Sequence, residues 1–393
     1  MTAATSQRAG AATMAGPPLR VLVVMPLGAA LGGGEEMLRQ LLRCGRGQGV
    51  TWIVAFLRDG PLVSEVRGMG IESHVVPAGR FRTVRRRVGA VRALAKLARA
   101  SAADLCFGWM VAGQVMAGPA ALLARVPCAW YQVGTPRPDW LDRYANLWPA
   151  RGVVTLSRDG AAAQSRLRPR RTVRVVHPGV ALDRAASALA MPPAAMRERL
   201  GLPVKGPLVG IVARLQRWKG VHVFLDAVAQ LQGMHAGLHA VVVGGAHETE
   251  PGYEAELHEQ AAALGLSNTV IFAGFQSNAV EWMQAMDIVV HASDREPFGI
   301  VVIEAMALGK PVVAAAEGGP AEIINDGVNG LLAPYGDAAA LARAITRVLD
   351  DAGFAARLGA AARLRAAAFS DTAYARNVIA AMRSLVGGSE ARA

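Results

Sequence analysis

The chain has 393 residues, of which 52% are hydrophobic and 18% are charged, and its formal net charge at pH 7 is +12. This composition excludes an intrinsically disordered chain and fits a protein with more than one buried core. The first eighteen residues contain no continuous apolar core for a signal peptide, and the apolar run at 21–31 is too short to span a bilayer. We therefore expect a cytoplasmic protein with a disordered tail over 1–18, either free in the cytoplasm or peripheral at the inner face of the cell membrane.

Strand-like apolar runs alternate with helical stretches through the first half of the chain. The runs are VLVVMPL (21–27), TWIVAFL (51–57), DLCFGWM (104–110), CAWYQV (128–133), GVVTLS (152–157) and VRVVHP (173–178). Such alternation is typical of a parallel sheet with helices on both faces. The pattern predicts a doubly wound α/β domain over 19–186.

A glycine-rich turn, GAALGGGEEM (28–37), follows the first strand and opens a helix. Gly33 and Gly34 would let a phosphate approach the backbone at a helix N-terminus, where negative charge is favoured. The glycines are not spaced as in a dinucleotide fingerprint, and Asp59 is only a loose candidate for the acidic residue of such a site. A tight turn that holds no ligand is the alternative interpretation, and both stay open.

A basic stretch at 79–100 contains no acidic residue. Its cations are Arg80, Arg82, Arg85, Arg86, Arg87, Arg92, Lys96 and Arg99. The apolar residues between them predict a partly amphipathic helix, which would attract anionic lipid by about 1 kcal/mol per cation close to the membrane. A solvated arginine face is the alternative, and both stay open. Nucleic acid is not expected as a partner because aromatic residues are not interleaved with the cations.

A stretch rich in proline, alanine and arginine (187–207) precedes a second series of strand-like runs. These are PLVGIVARL (207–215), HAVVVGGA (239–246), TVIFAGF (269–275), DIVVHAS (287–293) and PVVAAA (311–316). They predict a second domain of the same class over 205–368, followed by a helix at about 370–387 that can pack back on the first domain. The predicted fold is therefore α/β with two doubly wound domains facing a central cleft, where a ligand is expected.

Two cations follow the first strand of the second domain, in VARLQRWKG (212–220). Arg214 ends the strand, and Lys219 precedes a helix that begins near residue 221. Arginine can bind two oxygens of a diphosphate at once, and lysine adds a compact point charge. Basic loop residues are commonly only solvated, but here the apolar strand leads directly into them. The pattern therefore indicates a diphosphate site.

Two carboxylates stand on either side of a loop-to-helix junction in DREPFGIVVIEAMALGKPVVA (294–314). Glu296 is predicted on the loop and Glu304 inside the helix, and such carboxylates can accept hydrogen bonds from sugar hydroxyls. Free amides at the helix N-terminus, which would favour an anion, are expected at Phe298, Gly299 and Ile300. The alternative is a solvated loop acid followed by a helix acid that caps or forms a salt bridge.

These motifs together resemble those of the retaining GT-B glycosyltransferases of family 4. The resemblance extends from 19 to about 368 and rests on the glycine-rich turn, VARLQRWKG, EPFGIVVIEAMALGKPVVA and the following EGGPAEIINDGVNGLL. It implies two Rossmann-like domains, of which the second binds a nucleotide-sugar donor, such as a UDP- or GDP-sugar, and the first binds a hydroxyl acceptor. It also implies no cofactor and no metal, and the sequence contains no D-x-D metal motif.

The resemblance implies a role for each matching residue. Arg214 and Lys219 would bind the donor diphosphate. Glu296 would hold the donor sugar, and Arg214, Lys219 and Glu296 are the expected catalytic residues. Glu304 would hold the ribose hydroxyls. The remaining donor-binding positions would be Gly33 and Gly34 on the opposite wall, and Phe298, Gly299, Ile300, Gly318 and Gly319.

The implied chemistry is hexosyl-type transfer with retention, in which the leaving phosphate takes the acceptor proton. The product would belong to cell-envelope glycan, glycolipid or secondary-metabolite synthesis, and a lipid-linked acceptor is one option. The sequence departs from many relatives at Gln132, on the acceptor and sugar side, where a histidine is common. Glutamine cannot exchange a proton near neutral pH.

Two other functions stay open. The glutamine at Gln132 also suits a sugar-nucleotide-binding protein without turnover. A nicotinamide dehydrogenase would depend on the glycines at 32–34, but it leaves Arg214, Lys219 and the paired glutamates unexplained.

Overall fold

The first half of the chain forms one parallel sheet. The computed structural model of the protein describes residues 17–29, 32–79 and 84–387, so the tail predicted over 1–18 lies outside the described residues except for its last two. The strands are β1 (Leu19–Met25), β2 (Val50–Phe56), β3 (Glu72–Val75), β4 (Leu105–Trp109), β5 (Cys128–Gln132), β6 (Gly152–Thr155) and β7 (Val173–Val175). They lie in the order β3-β2-β1-β4-β5-β6-β7, so that the chain winds outward from β1 in both directions.

Alternate residues of β1 face opposite layers of helices. Val21 and Val23 are fully buried in the same cluster as residues of α1 (Gly33–Cys44), whereas Leu22 and Val24 pack with residues of α3 (Val84–Ala100) and α4 (Met110–Ala124). The side-chain period of two is what lets one apolar strand be covered on both faces. The other helices of this half are α2 (Pro61–Gly68), α5 (Trp140–Leu147) and α6 (Arg158–Leu167).

Two linker helices, α7 (Leu182–Leu189) and α8 (Pro193–Leu200), lead to a second parallel sheet. Its strands are β8 (Leu208–Val212), β9 (His239–Val243), β10 (Val270–Gly274), β11 (Ile288–His291), β12 (Val312–Ala315) and β13 (Leu331–Ala333), in the order β10-β9-β8-β11-β12-β13. The helices that follow α8 are α9 (Val221–Gln232), α10 (Tyr253–Ala263), α11 (Ala279–Ala285), α12 (Ile300–Ala307), α13 (Pro320–Ile323), α14 (Ala338–Asp350), α15 (Ala352–Ala366) and α16 (Asp371–Gly387). The predicted fold class is confirmed, whereas the boundaries at 186, 205 and 368 stay predictions.

The apolar runs of the sequence do not predict β3 or β13. Both are edge strands, β3 in the first sheet and β13 in the second. The sequence of β3 is ESHV, and β13 has three residues. Neither segment lies in a long apolar run, which is the signal on which strand prediction depends.

A buried arginine joins α8 to the second sheet. Arg197 is 5% exposed, and its Nη2 lies 2.7 Å from Asp287 Oδ2. Its Nε donates to the carbonyl oxygen of Ala285 at 2.8 Å, and its Nη1 donates to that of Gly206 at 3.0 Å. Asp287 Oδ2 also accepts the backbone N–H of Leu208 at 2.8 Å. One guanidinium therefore fixes the chain where it enters both β8 and β11.

The last helix, α16, returns to the first domain. Asp371, at its start, lies 2.8 Å from Arg43 Nη2 of α1. Near its end, Arg383 Nη2 donates to the carbonyl oxygen of Gly49 at 2.6 Å. These polar contacts flank a buried apolar face of α16 that belongs to the core of the first domain.

Candidate functional site

The motifs of the second domain meet at the carboxyl edge of its sheet. β8 and β11 are hydrogen-bonded neighbours, and β12 lies on the other side of β11. Parallel strands end at the same edge, so the segments that follow them converge. The carbonyl oxygen of Trp218, the residue before Lys219, accepts a hydrogen bond from the backbone N–H of Asp294 at 2.7 Å. The two predicted motifs therefore lie side by side.

Glu296 lies in a compact cluster of charged groups. Its Oε2 is 2.5 Å from Lys219 Nζ and 3.3 Å from His291 Nε2. The side chains of Lys219 and Glu296 are 14% and 13% exposed. Burial by itself raises the pKa of Glu296, but Lys219 and then His291 outweigh it and lower the pKa to about 2. Glu296 is therefore ionised at neutral pH and holds the ammonium group of Lys219 beside it.

His291 is a site residue to which the motifs assign no role. It ends β11, is 4% exposed, and its Nε2 also lies 3.3 Å from Ser293 Oγ. Its Nδ1 has no hydrogen-bond partner in the described part of the chain. The available signal is its place at the carboxyl end of a buried parallel strand, which is where ligands bind in such sheets.

Arg214 follows the same edge but stands apart from this cluster. Its side chain is exposed, and its Nη1 lies 3.3 Å from His247 Nε2, in the loop after β9. An exposed guanidinium at a strand end can bind a phosphate without first giving up a buried partner. Of the two predicted diphosphate cations, Lys219 is therefore preorganised and Arg214 is open to solvent.

Three glycines shape the loop that carries Glu296. Gly299 has φ +99° and caps α12, and Gly318 has φ +67°. A Cβ on Gly318 would lie 2.3 Å from the carbonyl oxygen of Glu296, and one on Gly319 would lie 2.1 Å from Phe298 Cα. Gly319 also donates its N–H to the carbonyl oxygen of Glu296 at 2.8 Å. Any side chain at these two positions would displace the loop.

The start of α12 faces the first domain. Phe298 is 2% exposed and stacks on His177, with ring centroids 5.2 Å apart and an interplanar angle of 17°. A Cβ on Gly33 would lie 4.0 Å from Ile300 Cδ1. The glycine-rich turn therefore forms the wall opposite the Glu296 loop, while residues 30–31 of that turn lie outside the described residues.

Gly34 is required by packing. A Cβ there would lie 2.0 Å from Met110 Cε, and its carbonyl oxygen accepts a hydrogen bond from Trp109 Nε1 at 2.9 Å. Its small size is therefore needed for the contact between α1 and the end of β4, whether or not a phosphate binds nearby.

Glu304 faces an inner cavity between the domains. The cavity is also lined by Glu36 and Gln40 of α1 and by Arg184 of α7. Burial raises the pKa of Glu304 to about 7; Arg184 opposes this shift and Glu36 adds to it. A carboxyl group with a raised pKa in a cleft is a candidate for ligand binding. Its predicted contact with ribose hydroxyls stays a prediction.

The replacement Glu304→Gln tests this environment in the ligand-free protein. Folding raises the pKa of Glu304 from 4.5 to about 7, so its carboxylate destabilises the fold progressively as pH rises through that interval. We expect the free energy of unfolding of the variant to exceed that of the wild type by up to about 3 kcal/mol at pH 8 and by less at pH 5. Thermal unfolding at the two pH values measures this difference. An equal gain at both pH values would contradict the raised pKa, and Glu259→Gln, on an exposed side chain, provides the control.

Gln132 is buried and bonds within its own domain. Its Oε1 accepts a hydrogen bond from Trp130 Nε1 at 3.0 Å, and its Nε2 donates to Asp142 Oδ1 at 3.1 Å. Asp142 also accepts the backbone N–H of Arg137 at 2.9 Å. Both polar atoms of Gln132 are therefore engaged, and its role on the acceptor side stays a prediction.

No group of three or more His, Cys, Asp or Glu residues that could hold a metal ion occurs in the described ranges of the chain. The Lys219 cluster contains one carboxylate and one imidazole, together with an ammonium group that would repel a cation. The donor set at this edge is therefore suited to an anion.

The second half of the chain matches a known family of enzymes. Residues 194–365 match the family model of glycosyl transferases group 1. The lipopolysaccharide core biosynthesis glycosyltransferase LpsE of Rhizobium meliloti is 36% identical over 162 residues, which cover 41% of this chain and 45% of LpsE. The D-inositol 3-phosphate glycosyltransferase of Salinispora arenicola is 39% identical over 207 residues, covering 50% of this chain and 46% of that protein. The chain thus spans about half the length of the curated relatives it matches.

Solved structures match along nearly the whole chain. Anabaena HepE in complex with UDP has a TM-score of 0.81 and 27% identity, covering 93% of this chain and 100% of HepE. Its complex with UDP-glucose has a TM-score of 0.79 at the same identity and coverage. Sucrose-phosphate synthase from Thermosynechococcus elongatus, at 24% identity, shares the fold with a TM-score of 0.79 over 94% of this chain and 100% of its own. The chain therefore has the GT-B fold, and its residues 194–365 match the glycosyl transferases group 1 family.

Proposed function

We propose that the protein transfers a sugar from a nucleotide-sugar donor to a hydroxyl acceptor with retention of anomeric configuration. The observation that carries this proposal is the ionised Glu296, held by Lys219 and His291 on the wall opposite Gly33. An ionised carboxylate accepts hydrogen bonds from sugar hydroxyls, while an ammonium group and helix-end amides suit phosphate. The HepE complexes with UDP and UDP-glucose support a donor of this class.

In the proposed reaction the anomeric C–O bond breaks and its electron pair leaves with the nucleotide diphosphate. The acceptor oxygen attacks the same face of the sugar, and its proton passes to the leaving phosphate oxygen. Lys219, Arg214 and the amides at the start of α12 stabilise the negative charge that develops there. Glu296 binds the donor sugar and is not assigned as a nucleophile.

The proposed activity is tested by incubating the protein with UDP-, GDP-, ADP- and dTDP-sugars in the presence of a membrane extract. We expect one donor to yield a glycosylated product whose new linkage has the anomeric configuration of that donor. An inverted linkage would contradict the retaining scheme. Absence of both product and donor binding across the panel would contradict donor recognition itself.

A donor-binding protein without turnover is the second candidate. It is favoured by Gln132, because both polar atoms of this residue are engaged inside the first domain and neither can exchange a proton. The same experiment separates the candidates, since donor binding without product in any acceptor mixture supports the second.

We also propose that the first domain binds anionic lipid through α3, which would place a lipid-linked acceptor near the cleft. The exposed cations of this helix are Arg85, Arg86, Arg92, Lys96 and Arg99, whereas Arg80 and Arg82 lie outside the described residues. Val84 and Val88 are 69% and 42% exposed on the same helix. Among the described helices, none has the length and apolarity needed to cross a bilayer.

The triple variant Arg85→Glu/Arg86→Glu/Arg92→Glu tests this surface by co-sedimentation with phosphatidylglycerol vesicles at low salt. Each cation near the membrane contributes about 1 kcal/mol, so we expect a loss of affinity of at least about a hundredfold. The matched control reverses the same number of exposed charges in the same domain, at Arg166, Arg168 and Arg170. Equal losses in both variants would contradict a specific lipid-binding face and indicate a net-charge effect alone.

A further inference from the structure

A carboxylate of the second domain reaches the first domain directly. Glu322, in α13, accepts the backbone N–H of Arg158 on its Oε2 at 2.9 Å and that of Asp159 on its Oε1 at 3.1 Å. Both donors are at the start of α6, 164 and 163 positions away along the chain. The two oxygens of one side chain therefore bridge the domains through two separate hydrogen bonds.

The contact completes the N-terminal cap of α6. Ser157, the N-cap residue, accepts the N–H of Gly160 on its Oγ at 3.1 Å, which leaves the first two N–H groups without an intrahelical partner. Negative charge is favoured at a helix N-terminus, and hydrogen bonds to an ionised acceptor are stronger than neutral ones. Glu322 thus supplies from one domain the partner that the helix of the other domain lacks.

The same short segment supports the Glu296 loop. Glu322 is three residues beyond Gly319, which donates its N–H to the carbonyl oxygen of Glu296 at 2.8 Å. A Cβ on Gly299 would lie 3.4 Å from Pro320 Cγ, so that α13 also packs against the start of α12. Arg365 Nη2 of α15 donates to the carbonyl oxygen of Glu322 at 3.2 Å and so fixes α13 against α15.

We propose that Glu322 is a positioning residue that latches the two domains together and thereby holds the Glu296 loop against the opposite wall of the cleft. The latch is a contact between the two domains themselves, and only its catalytic consequence rests on the proposed glycosyl transfer. Release of Glu322 from α6 opens the cleft while leaving the Lys219, His291 and Glu296 cluster intact within the second domain.

The replacement Arg158→Pro removes the backbone N–H that donates to Glu322 Oε2 and leaves the side chain of Glu322 in place. Position 158 is the first residue of α6, where proline is tolerated because the missing N–H has no intrahelical partner. Ser157, which precedes it, already has extended backbone angles of φ −147° and ψ 164°, as a residue before proline requires. Arg158→Ala is the matched control, since it removes the same side chain and keeps the N–H.

Two measurements on the full-length protein test the latch. Each variant is used only if its circular dichroism spectrum matches that of the wild type, which shows that it is folded. In small-angle scattering without ligand, we expect a larger radius of gyration for Arg158→Pro and Glu322→Ala than for the wild type, Arg158→Ala or Glu317→Ala. With donor and acceptor present, we expect kcat to fall about tenfold in the first two variants while the donor Kd changes less than twofold. Glu322→Gln should recover part of the loss because its amide oxygen still accepts one N–H.

The double variant Arg158→Pro/Glu322→Ala should be no worse than Glu322→Ala alone, because both changes remove the same contact. Unchanged scattering in Glu322→Ala would overturn the latch whatever the activity. A collapse of donor affinity in the latch variants would also overturn it, since that result indicates local damage to the donor site. Absence of transfer by the wild type would contradict the proposed function and leave the scattering result to decide the latch.

Discussion

Replacement of Lys219 by alanine is expected to lower turnover about a hundredfold or more while the protein stays folded. Lys219 Nζ is fixed 2.5 Å from Glu296 Oε2 and lies 3.9 Å from the centroid of the Trp218 ring. In the proposed reaction this ammonium group meets the diphosphate as its negative charge develops. Removal of one preorganised group that stabilises such charge typically costs about a hundredfold to a thousandfold in kcat.

The replacement also changes Glu296. The charge of Lys219 is the largest single influence that lowers the pKa of this buried carboxyl, so in the variant the pKa of Glu296 rises. The activity of Lys219→Ala should therefore fall more steeply toward acidic pH than the activity of the wild type does. Lys205→Ala, on an exposed lysine of the same domain, is the matched control. Turnover within threefold of the wild type in a folded Lys219→Ala protein would remove Lys219 from the proposed mechanism.

Arg197→Ala is expected to lower the free energy of unfolding by about 3 kcal/mol, as measured by urea unfolding. The replacement removes the ion pair to Asp287 and leaves the carbonyl oxygens of Ala285 and Gly206 without their donor. Breaking a buried pair costs about 3–5 kcal/mol, and the lower end applies here because the Asp287 side chain is 45% exposed.

A neighbouring arginine provides the control for this prediction. Arg199 is on the same helix, its side chain is 43% exposed, and it is paired with Glu281. Arg199→Ala should cost less than about 1 kcal/mol, as is usual for exposed ion pairs. Equal losses in the two variants would show that burial of the Arg197 guanidinium does not anchor α8.

The architecture could be predicted because its central strands are covered on both faces. β4 and β5 are buried at every position, and strands of this kind appear in the sequence as uninterrupted apolar runs. The same reasoning does not reach β3 and β13, which have four and three residues and lie outside such runs. Strand order depends on contacts between distant segments, which periodicity along the chain does not encode.

The candidate site could be predicted in part. Strand topology explains why Lys219 and Glu296, 77 positions apart, meet: both follow neighbouring parallel strands. The inner cavity that Glu304 faces depends on how α1 and α7 approach α12, and this information is absent from the local motif. The engagement of Gln132 by Trp130 and Asp142 is likewise a tertiary contact.

Calorimetric titration of UDP, GDP and ADP into the wild type, Lys219→Ala and Lys205→Ala tests the proposed donor site most directly. We expect at least one nucleoside diphosphate to bind the wild type and Lys205→Ala with equal affinity and to bind Lys219→Ala at least about tenfold more weakly, because a charge-assisted contact is lost. Equal binding to all three proteins, or binding of none of the three nucleotides to the wild type, would contradict the assignment of the Lys219–Glu296 edge as the donor site.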